Sequence, residues 1–111
     1  MIELIVKEYL SLRLDVPSFF EREPHMPDKC IIIEKTSGSY KNKLKSATIA
    51  IQSYANTLYE AALLNENVKD VMDKIIELDT ISGVHLNSDY NFTDTEMKLY
   101  RYQAVFDIFY Y

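Results

Sequence analysis

Two histidines, one cysteine and a short acidic run are the side chains of this 111-residue chain with the chemistry for catalysis or metal binding. His25 lies between Pro24 and Pro27, and His85 alternates out of phase with Val84 and Leu86. Neither has the Cys or His spacing of a zinc site. Asp89, Asp94 and Glu96 could offer oxygen ligands to a divalent cation, as a small metal-dependent hydrolase requires, but the glycine-bearing pattern of a calcium loop is missing. Turn chemistry accounts for them better: Asp94 favours a turn, and Thr93 with Glu96 has capping-box spacing. Cys30 opens the apolar run Cys30-Ile31-Ile32-Ile33, where a thiol behaves as a small buried hydrophobe. No serine sits in a nucleophile elbow, and two glycines are too few for a phosphate-cradling loop. The expectation is a protein with no catalytic residue, no metal site and no cofactor.

The elements that would have to position any site follow from periodicity. Ile2, Ile5, Val6, Tyr9 and Leu10 recur at helical spacing and predict an amphipathic helix over residues 2–12. Pro17, Pro24 and Pro27 then break helical character, leaving a short edge strand over 14–20 at best and an irregular crossing. Cys30–Lys35 reads as a buried strand. Ala47, Ile49 and Ile51 alternate with Thr48, Ala50, Gln52 and Tyr54, as a half-buried strand over 46–54 requires. From Leu58 to Ile76 the period becomes helical, and one long helix over 54–78 is expected, with Asn65 the place where it could bend. Val84, Leu86, Tyr90 and Phe92 predict one face of a strand over 82–92, and the even-numbered residues Tyr100–Tyr110 an unbroken apolar face of the last strand. The fold class is therefore α+β: a mainly antiparallel sheet with an N-terminal helix and one long central helix packed on one face. The length suits a single domain over 1–111.

Composition narrows the partners. A net charge of −5 disfavours broad binding to nucleic acid. Lys35, Lys41, Lys43 and Lys45 are a local exception, and a solvated loop is the plain reading of them. A single cysteine, no apolar run of membrane-spanning length and four charges within the first fourteen residues predict a protein made and kept in cytoplasm, with no membrane partner. Residues 36–45 should form a connection longer than an ordinary hairpin loop, with Tyr40 and Leu44 its large apolar residues. Such apolar residues need a partner, so Tyr40, Lys41, Lys43, Leu44 and Lys45 are the candidate interface. Most of the nine tyrosines, four of them between Tyr100 and Tyr111, read as core or sheet residues, with intersubunit contact the alternative for some.

Several features in order carry a family resemblance: an N-terminal helix, Val16 with Pro24 and Pro27 ahead of an apolar strand, and Thr36-Ser37-Gly38 at a glycine-containing turn. Ile49-Ala50-Ile51-Gln52-Ser53-Tyr54-Ala55 then leads into the long helix with Glu60-Ala61, and Asp94 precedes Arg101-Tyr102 on the final strand. In this order, over nearly the whole chain, the sequence resembles the tail terminator, or tail completion, proteins of long-tailed bacteriophages and prophages. Ser37 stands where a second glycine is common in that family. The resemblance implies a non-enzymatic virion protein of the tail and neck. It would form a homo-oligomeric ring, commonly a hexamer, on the last ring of the tail tube protein. There it would end tube growth and present a joining surface to the head connector or completion protein. DNA would pass through the lumen without specific binding. Another neck or head-completion protein and a cytoplasmic protein-binding adaptor module are the alternatives.

Overall fold

A computed structural model describes residues 1–41 and 44–111. The chain runs α1 (Ile2–Arg13), β1 (Ser18–Phe19), β2 (Cys30–Lys41), β3 (Leu44–Ala55), α2 (Leu58–Asp73), a 3-10 turn (Ile75–Glu77), β4 (Ile81–Asn91) and β5 (Tyr100–Tyr110). Five strands form one sheet in the order β1-β2-β3-β5-β4. Among the described residues, only the β1–β2 pair is parallel. Both helices cover the same face, which is the α+β arrangement that the alternating and helical stripes require.

The core between helices and sheet is built from Val6, Leu10, Val68 and Met72 against Ile31, Ile33, Ile49, Ile51, Phe106 and Ile108. Removing each such side chain from water contributes about 1.5–3 kcal/mol before conformational entropy is counted. Ala104, Phe106 and Ile108 point into this core, as the even-numbered reading of β5 expects, whereas Tyr100 and Tyr102 are half-buried and stand outside it. The Tyr9 hydroxyl donates to Glu77 Oε1 at 2.9 Å and Arg13 pairs with the same carboxylate at 2.8 Å, tying the end of α1 to the 3-10 turn.

The helix α2 starts later than periodicity suggests. Ser53, Tyr54 and Ala55 continue β3, and Thr57 caps the helix by accepting from the Glu60 amide at 3.1 Å. The helix ends at Asp73 and tightens into the 3-10 turn. Asn65 interrupts nothing: it is buried within the helix and donates to Asp89 at 2.6 Å.

Three β-bulges set which side chains share a face, and none was visible in the alternating pattern. The first, between Leu86 and Ser88, corrects the reading of β4. Val84 and Leu86 oppose the core residues Ile108 and Phe106, but beyond the bulge Asp89 opposes Ala104 while Tyr90 opposes Gln103 on the other side. Tyr90 thus leaves the face of Val84 and Leu86, and its ring meets Phe92 edge-on with centroids 5.9 Å apart. A second bulge, between Ile81 and Gly83, keeps Ile81 on the core side. The third lies between Lys35 and Ser37.

That last bulge sits where a turn is expected. The segment 36–45 is no ten-residue loop: β2 continues to Lys41, and Lys41 pairs with Leu44. Thr36-Ser37-Gly38 is likewise strand, with Gly38 opposite Ala47. A Cβ on Gly38 would come within 2.9 Å of Lys35 Cε, so glycine here leaves room for the lysine stem to lie along the strand. Cross-strand pairing has overridden the poor strand propensity of Ser, Gly and Lys.

The other sheet face is partly covered as well. Cys30, Ile32 and Tyr54 pack under Phe19, Met26 and Leu99, so the proline-rich crossing closes a second, smaller apolar cluster. Both faces of the start of β2 are therefore buried. Among the described residues, no helix is long and apolar enough to cross a membrane.

Candidate functional site

The residues with catalytic or ligating chemistry do not converge. His25 is exposed in the crossing at a positive φ of 63°, and His85 is exposed opposite Asp107 in the β4–β5 register. Asp94 Oδ1 accepts from the amides of Glu96 and Met97 at 3.1 and 3.2 Å, the turn role expected of it. Thr93 does not cap: no helix follows it, and its hydroxyl exchanges hydrogen bonds with the backbone of Arg101. Asp89 is separated from Asp94 and Glu96, because its carboxylate turns toward α2 and accepts from Asn65 and from Lys69 Nζ at 2.5 Å. That bond, more than any other influence, raises the Lys69 ammonium above its ordinary range. Among the described residues, no group of three or more His, Cys, Asp or Glu side chains could hold a metal ion. Burial pushes the Cys30 thiol up, which holds it in the unreactive protonated form.

The candidate interface residues do share one structure, the outer end of the β2–β3 hairpin. Lys43 lies outside the described residues. The bulge after Lys35 decides the grouping of the rest. Before it Lys35 opposes Ile49, and after it Gly38 opposes Ala47 and Tyr40 opposes Lys45. Lys35, Tyr40 and Lys45 consequently share the helix-bearing face of the sheet, beside Tyr110, which pairs with Lys45. The Lys45 ammonium stands 5.9 Å from the Tyr110 ring centroid. Lys41 and Leu44 occupy the opposite face, with Ser39 and Ser46 hydrogen-bonded behind them at 2.6 Å. Tyr40 is 66% exposed and Leu44 53% exposed, far more than the interior residues of the same strands. β1 pairs only with Ile31 and Ile32, so the outer edge of β2 from Ile33 to Lys41 is open. Lysines and a bulge along such an edge oppose indiscriminate strand addition.

The sheet face away from the helices carries a hydrogen-bonded row across three strands. Arg101 donates to the Tyr54 hydroxyl at 2.9 Å, Tyr54 to Gln52 at 3.1 Å and Gln52 to Gln103 at 2.9 Å, and Gln103 reaches Tyr90. Such a row satisfies its members among themselves and fixes strand register. No family model matches the chain, and no curated protein matches it at a significant level.

Sequence reading missed a second exposed surface, the groove lined by Glu66, Lys69, Asp70 and Asp73 above Val84, Leu86 and Phe106. Its signal was present as carboxylates recurring every three or four residues along α2, one turn apart on one helix side. The partner strand that supplies its floor could only come from the fold.

Proposed function

We propose that the chain is a non-enzymatic structural subunit that assembles as a homo-oligomeric ring, of the kind that caps a phage tail tube, ends its growth and presents a joining surface to the head connector. The observation that carries the reading is the β2–β3 hairpin, whose outer end exposes Tyr40 and Leu44 among Lys35, Lys41 and Lys45, with no covering element among the described residues. Large apolar groups left exposed at the end of a sheet, where β5 backs β3 out to Lys45, gain stability only when another surface covers them. The resemblance in element order to tail terminators supplies the setting: a virion protein, with the tail tube protein and the head connector as partners. The acidic balance of −5 suits a ring through which DNA slides without adhering.

Complementation of a terminator-defective phage tests the proposal. The parent chain should restore normal tail length and infectivity, and Tyr40→Ala should not, although it melts at nearly the parent temperature. Overlong tails in the presence of abundant, folded parent protein would refute it.

A further inference from the structure

We infer that the lysine and tyrosine face of the β2–β3 hairpin docks into the carboxylate-rimmed groove between α2 and β4 of a second copy of this chain. The inference rests on the ring reading above and names the two surfaces that would make its contact.

Both surfaces carry charge that is uncompensated within the chain. Among the described residues, Lys35, Lys41 and Lys45 form no ion pair, and neither do Asp70 and Asp73. Lys69, the one cation among the described residues lining the groove, is already held by Glu66 at 2.7 Å and by Asp89 at 2.5 Å. The groove therefore offers net negative charge over an apolar floor in which Leu86 is 42% exposed. The hairpin face offers the complement, two ammonium groups flanking Tyr40 and Tyr110. An arriving tyrosine ring would cover Leu86 while the lysines meet Asp70 and Asp73 at the rim, an arrangement with apolar centre and polar margin.

Placement in the fold keeps the two patches apart. The hairpin lies on β2 and β3, toward the β1 side of the sheet, and the groove on α2 and β4. A contact that passes from the hairpin of one copy to the groove of the next, head to tail, is heterologous, and heterologous contacts that close make rings. Two hairpins facing each other would bring lysines against lysines, and two grooves aspartates against aspartates, so two-fold pairing through either surface is opposed.

The test uses two charge-reversed chains, Lys35→Glu with Lys45→Glu, and Asp70→Lys with Asp73→Lys, their size measured by native mass spectrometry and sedimentation. All reversed positions are exposed, and thermal melting of each variant checks that it is folded. Each variant alone should be monomeric where the parent forms rings. An equimolar mixture should reassemble, because every hairpin then finds a groove of opposite sign. The milder Asp70→Asn with Asp73→Asn should weaken assembly at least ten-fold, less at high salt than at low salt. Variants that form rings as the parent does, or a mixture that stays monomeric, would overturn the hairpin–groove contact while leaving the ring itself standing. A parent chain that stays monomeric even with tail-tube subunits added would overturn the ring reading and this contact together.

Discussion

Replacing Asp89 by alanine removes a carboxylate that holds β4 to α2, and the cost follows from what its two partners do next. Lys69 keeps Glu66 and its side chain is 20% exposed, so water restores most of its solvation and the loss there is about 1 kcal/mol. Asn65 is 1% exposed and its Oδ1 already lacks a partner, so its amide loses its bond with no replacement, at about 1–3 kcal/mol. The sum, about 2–4 kcal/mol, is a large share of the roughly 5–15 kcal/mol that holds a domain together. For a chain of this length it lowers the melting temperature by roughly 8–16 °C. Urea unfolding of parent, Asp89→Ala, Asn65→Ala and the double variant would read both the total and the coupling. Asn65 and Asp89 should couple by at least about 1 kcal/mol, as residues sharing a buried hydrogen bond do. An Asp89→Ala protein within about 0.5 kcal/mol of the parent would show that the carboxylate is spare and that the bulge after Leu86 does not serve to aim it.

Phe106 is 3% exposed between Ile49 and Leu86, so Phe106→Asp should leave little folded protein at 37 °C by circular dichroism, whereas a stable variant would mean the strand presents its other face to the core. Tyr40→Ala, at a side chain 66% exposed, should shift the isolated chain's stability by less than about 0.5 kcal/mol in the same assay, and a larger loss would place Tyr40 in the fold instead of at a contact. Among the described residues, three groups are held above their ordinary values: Tyr9 chiefly by burial, Cys30 by burial, and Lys69 by its bond to Asp89. For each, the proton is bound more tightly in the folded state. Their stabilisation is therefore complete below the unfolded values and declines as pH rises past about 8.5, where an unfolded thiol first ionises. Urea midpoints should fall between pH 8 and pH 10.5, and Cys30→Ala should remove the earliest part of the fall; a flat profile would contradict the assignment.

Much of the fold was legible because periodicity is a local signal. The stripe Ile2, Val6, Tyr9 and Leu10 and the alternation Ala47, Ile49, Ile51 depend only on which face meets a core, and both lie as read. What was not legible depends on partners distant in sequence. The bulge that sends Tyr90 away from Leu86 exists because β4 must match β5, and no residue in Asn87-Ser88 announces it. Thr36 to Lys45 has loop composition, yet β3 pairs β5 out to Lys45–Tyr110 and carries β2 along with it as strand. The cover that Phe19, Met26 and Leu99 place over Cys30 needed the path of an irregular segment. Of the proposed contact surface, the lysines and Tyr40 could be named from sequence, but their division between two faces follows from the bulge after Lys35.

Electron microscopy of tail-tube subunits polymerising with and without this chain tests the central claim most directly. The account predicts tubes that stop growing and carry one extra ring at a single end, with the Lys35→Glu and Lys45→Glu chain leaving ends bare and growth unchecked. Tubes of equal length with bare ends, in the presence of excess parent chain, would contradict it.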